Sequence, residues 1–406
     1  MTHHAPAHAP ATSGRAPSGA GPWLWSAPID LAVFGGSALV ALALVALAPH
    51  LADEGRTLPV WGFFLFIVAV DVAHVWSTLF RSYLDPEELA RRPGLYAGVP
   101  LGCFFVGASL HAVSSAWFWR VLAYLAVLHF VRQQVGWVAI YRARAGLRSR
   151  VDRLVDDTAV YASTLVPLAH WHAELPRAFH WFVEGDFQPL PWLLALLPAL
   201  DALLVAALVV YALRAISLAR RGSLLVGKHL VVATTAATWW IGIVTTNSDF
   251  EFSVANVLVH GVPYLALLYA YSRERAREAP SSAVATLARG GLVGFVALLQ
   301  VLAFAEEFLW ERLVWAARPE LFGGDGEPLA PRAWMPLVVP LLAVPQATHY
   351  VLDAFLWRRG GTGHAQARAM GFAAAPTSAD EPQPREPALG PLDETEAARA
   401  SPDSSR

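Results

Sequence analysis

Four hydrophobic segments of this chain each carry one histidine with a polar or acidic side chain within one helical turn. The four histidines are His74, His129, His260 and His349. Asp71 precedes His74 by three residues and Asp353 follows His349 by four, so in helices each pair falls on one face. Imidazole nitrogens supported by carboxylates are ligands that suit iron, zinc, copper and manganese. The spacing therefore indicates a metal site shared by four helices.

Further polar residues follow the same helical spacing. Thr78 and Arg81 continue the stripe after His74, and Tyr264 follows His260 by four. We expect the four histidines to be metal ligands and the two aspartates and one arginine to be catalytic, namely Asp71, Asp353 and Arg132. Three amides are expected to contact a cofactor, namely Gln133, Asn256 and Gln346.

Ionisable side chains inside a membrane helix are costly, so their presence needs an explanation. A charge at the centre of such a helix costs roughly 2.5–3.5 kcal/mol, and a functional site is the first hypothesis for it. Three other interpretations stay open: each histidine links two helices by a hydrogen bond, Arg132 forms a structural ion pair with Asp71 or Asp353, or the polar layer conducts protons or a solute.

Composition places these residues in a membrane. The chain has 406 residues, is 55% hydrophobic and 15% charged, and has a mean hydropathy of +0.42. Soluble domains are about 45–50% apolar and about 25% charged. We therefore expect an all-α, polytopic integral membrane protein. A net charge of −2 gives no support to a nucleic-acid partner, and the single Cys103 excludes cysteine-rich metal sites within the chain.

Hydropathy predicts ten spans, and the basic residues support that number. The spans lie near 29–48, 58–80, 94–115, 118–141, 156–172, 190–213, 227–247, 250–271, 288–310 and 333–356. Eighteen basic residues fall after even-numbered spans and six after odd-numbered ones. Because loops rich in arginine and lysine stay in the cytoplasm, both termini are expected there. The arginine bias and the abundant alanine suggest a GC-rich genome, and we expect a bacterial inner membrane.

The four histidines have similar predicted depths. They precede the next arginine after their spans by 7, 13, 13 and 9 residues in chain order. At 1.5 Å per residue this places them roughly 10–20 Å inside the cytoplasmic boundary. All four spans run in the same direction, so one polar layer can contain all four rings.

The remaining segments give weaker predictions. Residues 1–28 and 360–406, rich in alanine and proline, are predicted to be disordered cytoplasmic tails around a transmembrane domain at 29–359. His180 and Glu184 suggest an interfacial amphipathic helix, with a second metal site as the alternative. Glu306 and Glu307 are expected to reach the membrane interface.

A metal within the hydrocarbon layer indicates a lipid-soluble substrate. In general plan the chain resembles the histidine-dependent membrane oxygenases, such as carotene-cleaving dioxygenases and membrane desaturase–hydroxylases, although its hydrophobic segments lack the HxxxH and HxxHH clusters of desaturases. We expect a metal-dependent oxidoreductase, with iron as the first cofactor candidate and zinc, copper or manganese as alternatives. A separate electron donor would then be required. The alternatives are a haem-binding electron-transfer or haem-modifying protein and a proton-coupled transporter.

Overall fold

Ten long helices make up the fold. The computed structural model describes residues 21–53, 57–147, 149–357 and 364–372, and no β-strand occurs in these ranges. The helices are α1 (Ala27–Leu51), α2 (Val60–Arg81), α3 (Pro93–Val113), α4 (Ser115–Arg144), α5 (Arg150–Ala173), α6 (Leu197–Arg220), α7 (Val226–Trp239), α8 (Asp249–Glu278), α9 (Gly291–Trp315) and α10 (Arg332–Leu356). Residues 1–20 of the predicted first tail and most of the second lie outside the described residues, but Leu24 in the first tail is buried and His364–Ala369 forms a short helix.

Seven of these helices are long and apolar enough to cross a membrane, namely α1, α2, α3, α6, α8, α9 and α10. Each of the ten predicted spans coincides with one helix, but α4, α5 and α7 are not among these seven. Charged residues lower the hydropathy of α4 and α5, and α7 has only 14 residues. A multi-pass membrane protein fits the structure, and the number of ten crossings stays a prediction.

Helix α8 occupies the centre of the bundle. In its most apolar window 78% of the residues are buried, compared with 11% in α3, which therefore lies at the periphery. It packs against α1, α2, α4 and α7. At Gly261 it approaches α2 so closely that an added Cβ would lie 2.7 Å from Val70 Cγ1 and 3.3 Å from Val70 O. This contact sets the distance between the helix that carries His260 and the helix that carries His74.

Ion pairs hold the end of α2 to the segment that follows it and to α8. Arg81, at the last turn of α2, lies 2.8 Å from Glu88 in the short helix Pro86–Arg91. Its Nε also donates to Gln366 Oε1 at 3.1 Å. Arg275 of α8 contacts Asp85 at 3.0 Å. These contacts therefore hold the C-terminal turns of α2 and α8 together, in the two helices that carry His74 and His260.

Candidate metal centre

Four helices bring the four histidines into one cluster. Helices α2, α4, α8 and α10 contact one another in a ring, α2 with α8, α8 with α4, α4 with α10 and α10 with α2. Each helix contributes one ring, all four rings are buried, and one nitrogen of each lies within 4.8 Å of the others. The histidine cluster consists of His74, His129, His260 and His349. The structure thus brings together all four histidines that the sequence selects.

The Nδ1 atoms of three rings point to polar partners. Nδ1 of His74 lies 3.4 Å from Asp71 Oδ1, and Nδ1 of His129 lies 3.5 Å from Asp353 Oδ2. Nδ1 of His349 lies 2.7 Å from Thr78 Oγ1. The hydrogen bond to Thr78 fixes the orientation of the His349 ring, as oxygen partners do for histidines that bind metals in proteins, whereas Nδ1 of His74 lies near Asp71 without a hydrogen bond.

A directed hydrogen-bond chain links His349 to Asp353. The Tyr264 hydroxyl donates to Asp353 Oδ1 at 2.9 Å, so its oxygen accepts from Thr78, 3.2 Å away. The single hydroxyl proton of Thr78 is used in this hydrogen bond, so the Thr78 oxygen must accept from Nδ1–H of His349. The chain therefore runs from His349 through both hydroxyls to the carboxylate.

The Nε2 atoms of the four rings face one another in two pairs at the centre of the cluster. Nε2 of His349 lies 3.1 Å from Nε2 of His129, and because Thr78 accepts the proton on Nδ1 of His349, Nε2 of His349 is the acceptor in this contact. Nε2 of His260 lies 3.1 Å from Nε2 of His74, and the Nδ1 atoms of both of these rings are buried without a hydrogen-bond partner. A cation between the rings would be bound by the nitrogens that face one another.

The distances suit a single small cation. With metal–nitrogen bonds of about 2.0–2.1 Å, ligand nitrogens lie roughly 3.4–4.2 Å apart. The cluster, with nitrogens at 3.1 Å and all within 4.8 Å, is close to this range. Four nitrogens without a thiolate suit iron, zinc, copper or manganese. The four buried histidines can therefore hold a metal ion.

Aromatic and amide contacts fix the His260 ring and its helix. The Phe130 ring stacks on His260 with centroids 3.5 Å apart and planes inclined by 8°. Gln133 Nε2 donates to the His260 carbonyl at 2.8 Å. Phe130 and Gln133 both belong to α4, so this helix supplies one ligand and positions another.

Two cavities reach the histidine cluster, and a third lies beside it. The lateral cavity, of about 570 Å³, is lined by His129, Arg132, Asp353 and mostly apolar side chains. The small apolar cavity, of about 320 Å³, adjoins Thr78 and His349. The third, here called the acidic cavity, of about 520 Å³, is lined by none of the four histidines; apolar and aromatic side chains line most of it, together with polar residues that include Asp71, Asn256, Glu307, Glu311 and the loop residue His180. The two cavities that reach the rings are therefore largely apolar.

The other residues selected from the sequence occupy different places around the cluster. Arg132 lines the lateral cavity, and its NH1 donates to Tyr161 Oη at 3.0 Å. It forms no ion pair with Asp71 or Asp353 within the described ranges, so the structural ion pair is absent there. Asn256 and Gln346 line the acidic cavity. The side chain of Asn256 is buried and its Oδ1 has no hydrogen-bond partner.

Two weaker predictions from the sequence are wrong. Residues 174–190 form no helix, and His180 and Glu184 instead line the acidic cavity. Glu306 and Glu307 are buried within the bundle rather than placed at the interface, and Glu306 accepts from Trp76 Nε1 at 2.6 Å. Both errors arise because hydropathy and spacing do not reveal which neighbouring helix covers a residue.

Two residues of the site had no role assigned from the sequence. Thr78 and Tyr264 lie four residues after His74 and His260, and this spacing was the only signal available. Their importance depends on contacts between α2, α8 and α10, which a single helix pattern does not contain. No family model, curated protein or solved structure matches the chain, so the site is interpreted from its own chemistry.

Proposed function

We propose that this protein is a metal-dependent membrane enzyme that acts on a lipid-soluble substrate by oxygenase, desaturase or hydroxylase chemistry. The observation that carries the proposal is the convergence of four buried histidines from four helices, with one nitrogen of each ring within 4.8 Å of the others. Such an arrangement is favourable when a cation lies between the rings.

The residues of the cluster have separable tasks in this proposal. The four histidines hold the ion, and the two aspartates, with Thr78 and Tyr264, orient the rings. Iron is the first candidate, with zinc, copper or manganese as alternatives; a bound iron would supply redox chemistry with dioxygen. Hydroxylation or desaturation would also require a separate electron donor. Gln133 positions His260, and Asn256 and Gln346 are proposed to contact the cofactor or its water from the acidic cavity.

The apolar cavities support a substrate from the lipid bilayer. The small apolar cavity contains Thr78 and His349 among mostly aliphatic neighbours. The lateral cavity places apolar side chains beside His129 and Asp353. Pockets with an apolar lining and a few convergent polar groups are typical of sites for small hydrophobic molecules.

Haem is less compatible with this packing. Ring centroids of neighbouring histidines lie 4.5–5.0 Å apart in four pairs, namely His74 with His260 and with His349, and His129 with His260 and with His349. A macrocycle placed between two axial histidines would have to displace the other two rings. The acidic cavity favours a proton-coupled transporter as the second candidate, because its carboxyl groups approach Asp71.

The test is the metal and haem content of purified protein, measured by elemental analysis and visible absorption. We expect about one equivalent of a transition metal in the unmodified protein, lost in His349→Ala and His349→Gln. His50→Ala is the matched control, because His50 is exposed at the end of α1. A folded protein without metal would refute the enzyme proposal and favour transport assays; a Soret band would favour haem.

A further inference from the structure

Arg132 is a cation in the middle of a helix without an acidic partner. It lies 12 residues before the end of α4, roughly 18 Å along the helix at 1.5 Å per residue. Within the described part of the chain no carboxylate forms an ion pair with it, and its side-chain contact is the Tyr161 hydroxyl. By contrast, Arg142 on the same helix contacts Asp156 at 3.2 Å. A guanidinium at this depth is costly unless an anion neutralises it.

The Arg132 side chain lines the lateral cavity. Arg132 and His129 line it together, three residues apart on one face of α4. Trp137 and Phe355 belong to the mainly apolar remainder of the wall. Leu128, also in the wall, is 56% exposed, so the cavity opens towards the surface that lipid covers. A molecule that enters sideways from the bilayer would therefore meet the guanidinium and the histidine cluster in the same cavity.

The charges in this cavity favour a monoanion. The only carboxylate in its lining, Asp353, already accepts from Tyr264 and contacts His129. Arg132 thus supplies one uncompensated positive charge. Because Tyr161 occupies only NH1, the remaining donors of the guanidinium can present two parallel N–H groups, the arrangement that matches a carboxylate. A phosphate dianion would bring more negative charge than one arginine neutralises.

We propose that the lateral cavity binds a single-chain lipid carboxylate, with its head group on Arg132 and its chain along the apolar wall. The volume of about 570 Å³ lies within the range of roughly 300–1,000 Å³ found for sites of small ligands and suits one chain. This inference deepens the proposed enzyme function, on which it rests for any reaction: the carbons next to the carboxylate would face His129. Binding itself requires only the cavity and the arginine.

The experiment compares the affinity of oleate, methyl oleate and oleyl phosphate for the protein in zwitterionic nanodiscs, by displacement of a fluorescent fatty acid. We expect oleate to bind about 10–100-fold more tightly than its ester, as charge-assisted hydrogen bonds predict. Arg132→Gln should abolish this selectivity and leave ester binding unchanged, and Arg132→Lys should retain part of it. Arg120→Gln is the matched control, because Arg120 is on α4 but donates to the Gly185 carbonyl instead.

Two outcomes of this experiment would overturn the inference. Equal affinity for acid and ester, or equal losses for both in Arg132→Gln, would show that the arginine does not hold the head group. Tighter binding of oleyl phosphate would assign a phosphate instead. The metal content of the unmodified protein, measured beside its oleate selectivity, separates the two proposals. Oleate selectivity in a folded protein without metal would refute the enzyme function alone, whereas a metal-loaded protein without selectivity would refute the carboxylate site alone.

Discussion

The two aspartates at the histidine cluster have unequal numbers of contacts. Asp353 accepts from Tyr264 at 2.9 Å and lies 3.5 Å from Nδ1 of His129, so through the hydroxyl chain it also orients His349. Asp71 has one such contact among the described residues, with Nδ1 of His74 at 3.4 Å and without a hydrogen bond. Partners of this kind influence metal binding through the ligand that they orient. The loss of Asp353 should therefore disturb two ligands, and the loss of Asp71 one.

We expect Asp353→Asn to weaken metal affinity by about 100-fold and Asp71→Asn by about 10-fold, the range found for such orienting residues. An asparagine amide can donate to Nδ1 and so favours the wrong tautomer, while its volume is nearly that of aspartate. Competition with a chelator measures both affinities, and thermal unfolding of each variant checks that the fold is retained. Equal losses would contradict the unequal roles.

At the scale of elements, the close contact between α8 and α2 determines whether the rings can meet. Gly261 is adjacent to His260, and Val70 is four residues before His74. An added Cβ at Gly261 would lie 2.7 Å from a methyl group of Val70, whose β-branched side chain has little freedom to move. The helices would have to separate, and with them two of the four ligands.

Gly261→Ala is therefore expected to destabilise the protein by about 1–3 kcal/mol, as overpacking does elsewhere, and to lower its metal content. Gly98→Ala in α3 is the control, because no atom lies within 4 Å of its added Cβ. That variant should be neutral or slightly more stable. Thermal unfolding and elemental analysis measure the two effects, and equal behaviour of both variants would count against the close contact.

The end of α2 depends on a second interaction between elements, the ion pair of Arg81 and Glu88. Burial would raise the pKa of the Glu88 carboxyl, but Arg81, assisted by hydrogen bonds from Tyr96 and Arg92, lowers that pKa from 4.5 to about 2. Because the folded-state pKa is below the ordinary value, the carboxylate stabilises the fold fully above about pH 4.5. This contribution is lost as the pH falls towards 2.

Glu88→Gln should lower the free energy of unfolding by about 3 kcal/mol at pH 7, because it leaves the buried Arg81 without its carboxylate. The difference in melting temperature from the unmodified protein should narrow between pH 5 and pH 3. A difference that stays constant with pH would exclude an ionised Glu88 as its cause. Glu87→Gln, at a side chain 74% exposed, is expected to change stability by less than about 1 kcal/mol.

At the scale of the whole molecule, the parity of the crossings determines where the ends of the chain lie. Seven crossings would place the termini on opposite sides, and ten place them on the same side. Both numbers fit the length of the helices, because α4 and α5 are as long as the more apolar seven and α7 is continued by the π-helical turn Trp240–Thr245. The distribution of arginine favours ten crossings with both termini in the cytoplasm.

We expect a fluorescent protein fused to either terminus to fluoresce in bacteria and alkaline phosphatase inserted after Asp325, in the loop before α10, to be active. Fluorescent fusions report the cytoplasm and active phosphatase reports the opposite side. Fluorescence at one terminus only would indicate an odd number of crossings and would remove the common direction of α2, α4, α8 and α10.

Prediction from the sequence succeeded where one helix contains all the required information. The spacing of Asp71 and His74, and of His349 and Asp353, follows from the helical period alone. The cross-helix arrangement could not be predicted in the same way. Asp353 contacts His129 on α4 and is linked to its own His349 through Tyr264 and Thr78, and Thr78 joins α2 to α10. Such pairings depend on which helices are neighbours, and the sequence of one helix does not specify its neighbours.

In the proposed metal site the two aspartates also influence which oxidation state of the ion is favoured. With four neutral imidazoles, and with Arg132 neutralised by the proposed lipid carboxylate, Asp71 and Asp353 give the buried layer two formal negative charges when both are ionised. A divalent ion makes this layer electrically neutral, whereas a monovalent or trivalent ion leaves one charge uncompensated, which costs several kcal/mol in a medium of low dielectric constant. Electroneutrality therefore disfavours monovalent copper. It also stabilises ferrous over ferric iron, so a redox titration of iron-loaded protein should give a high reduction potential.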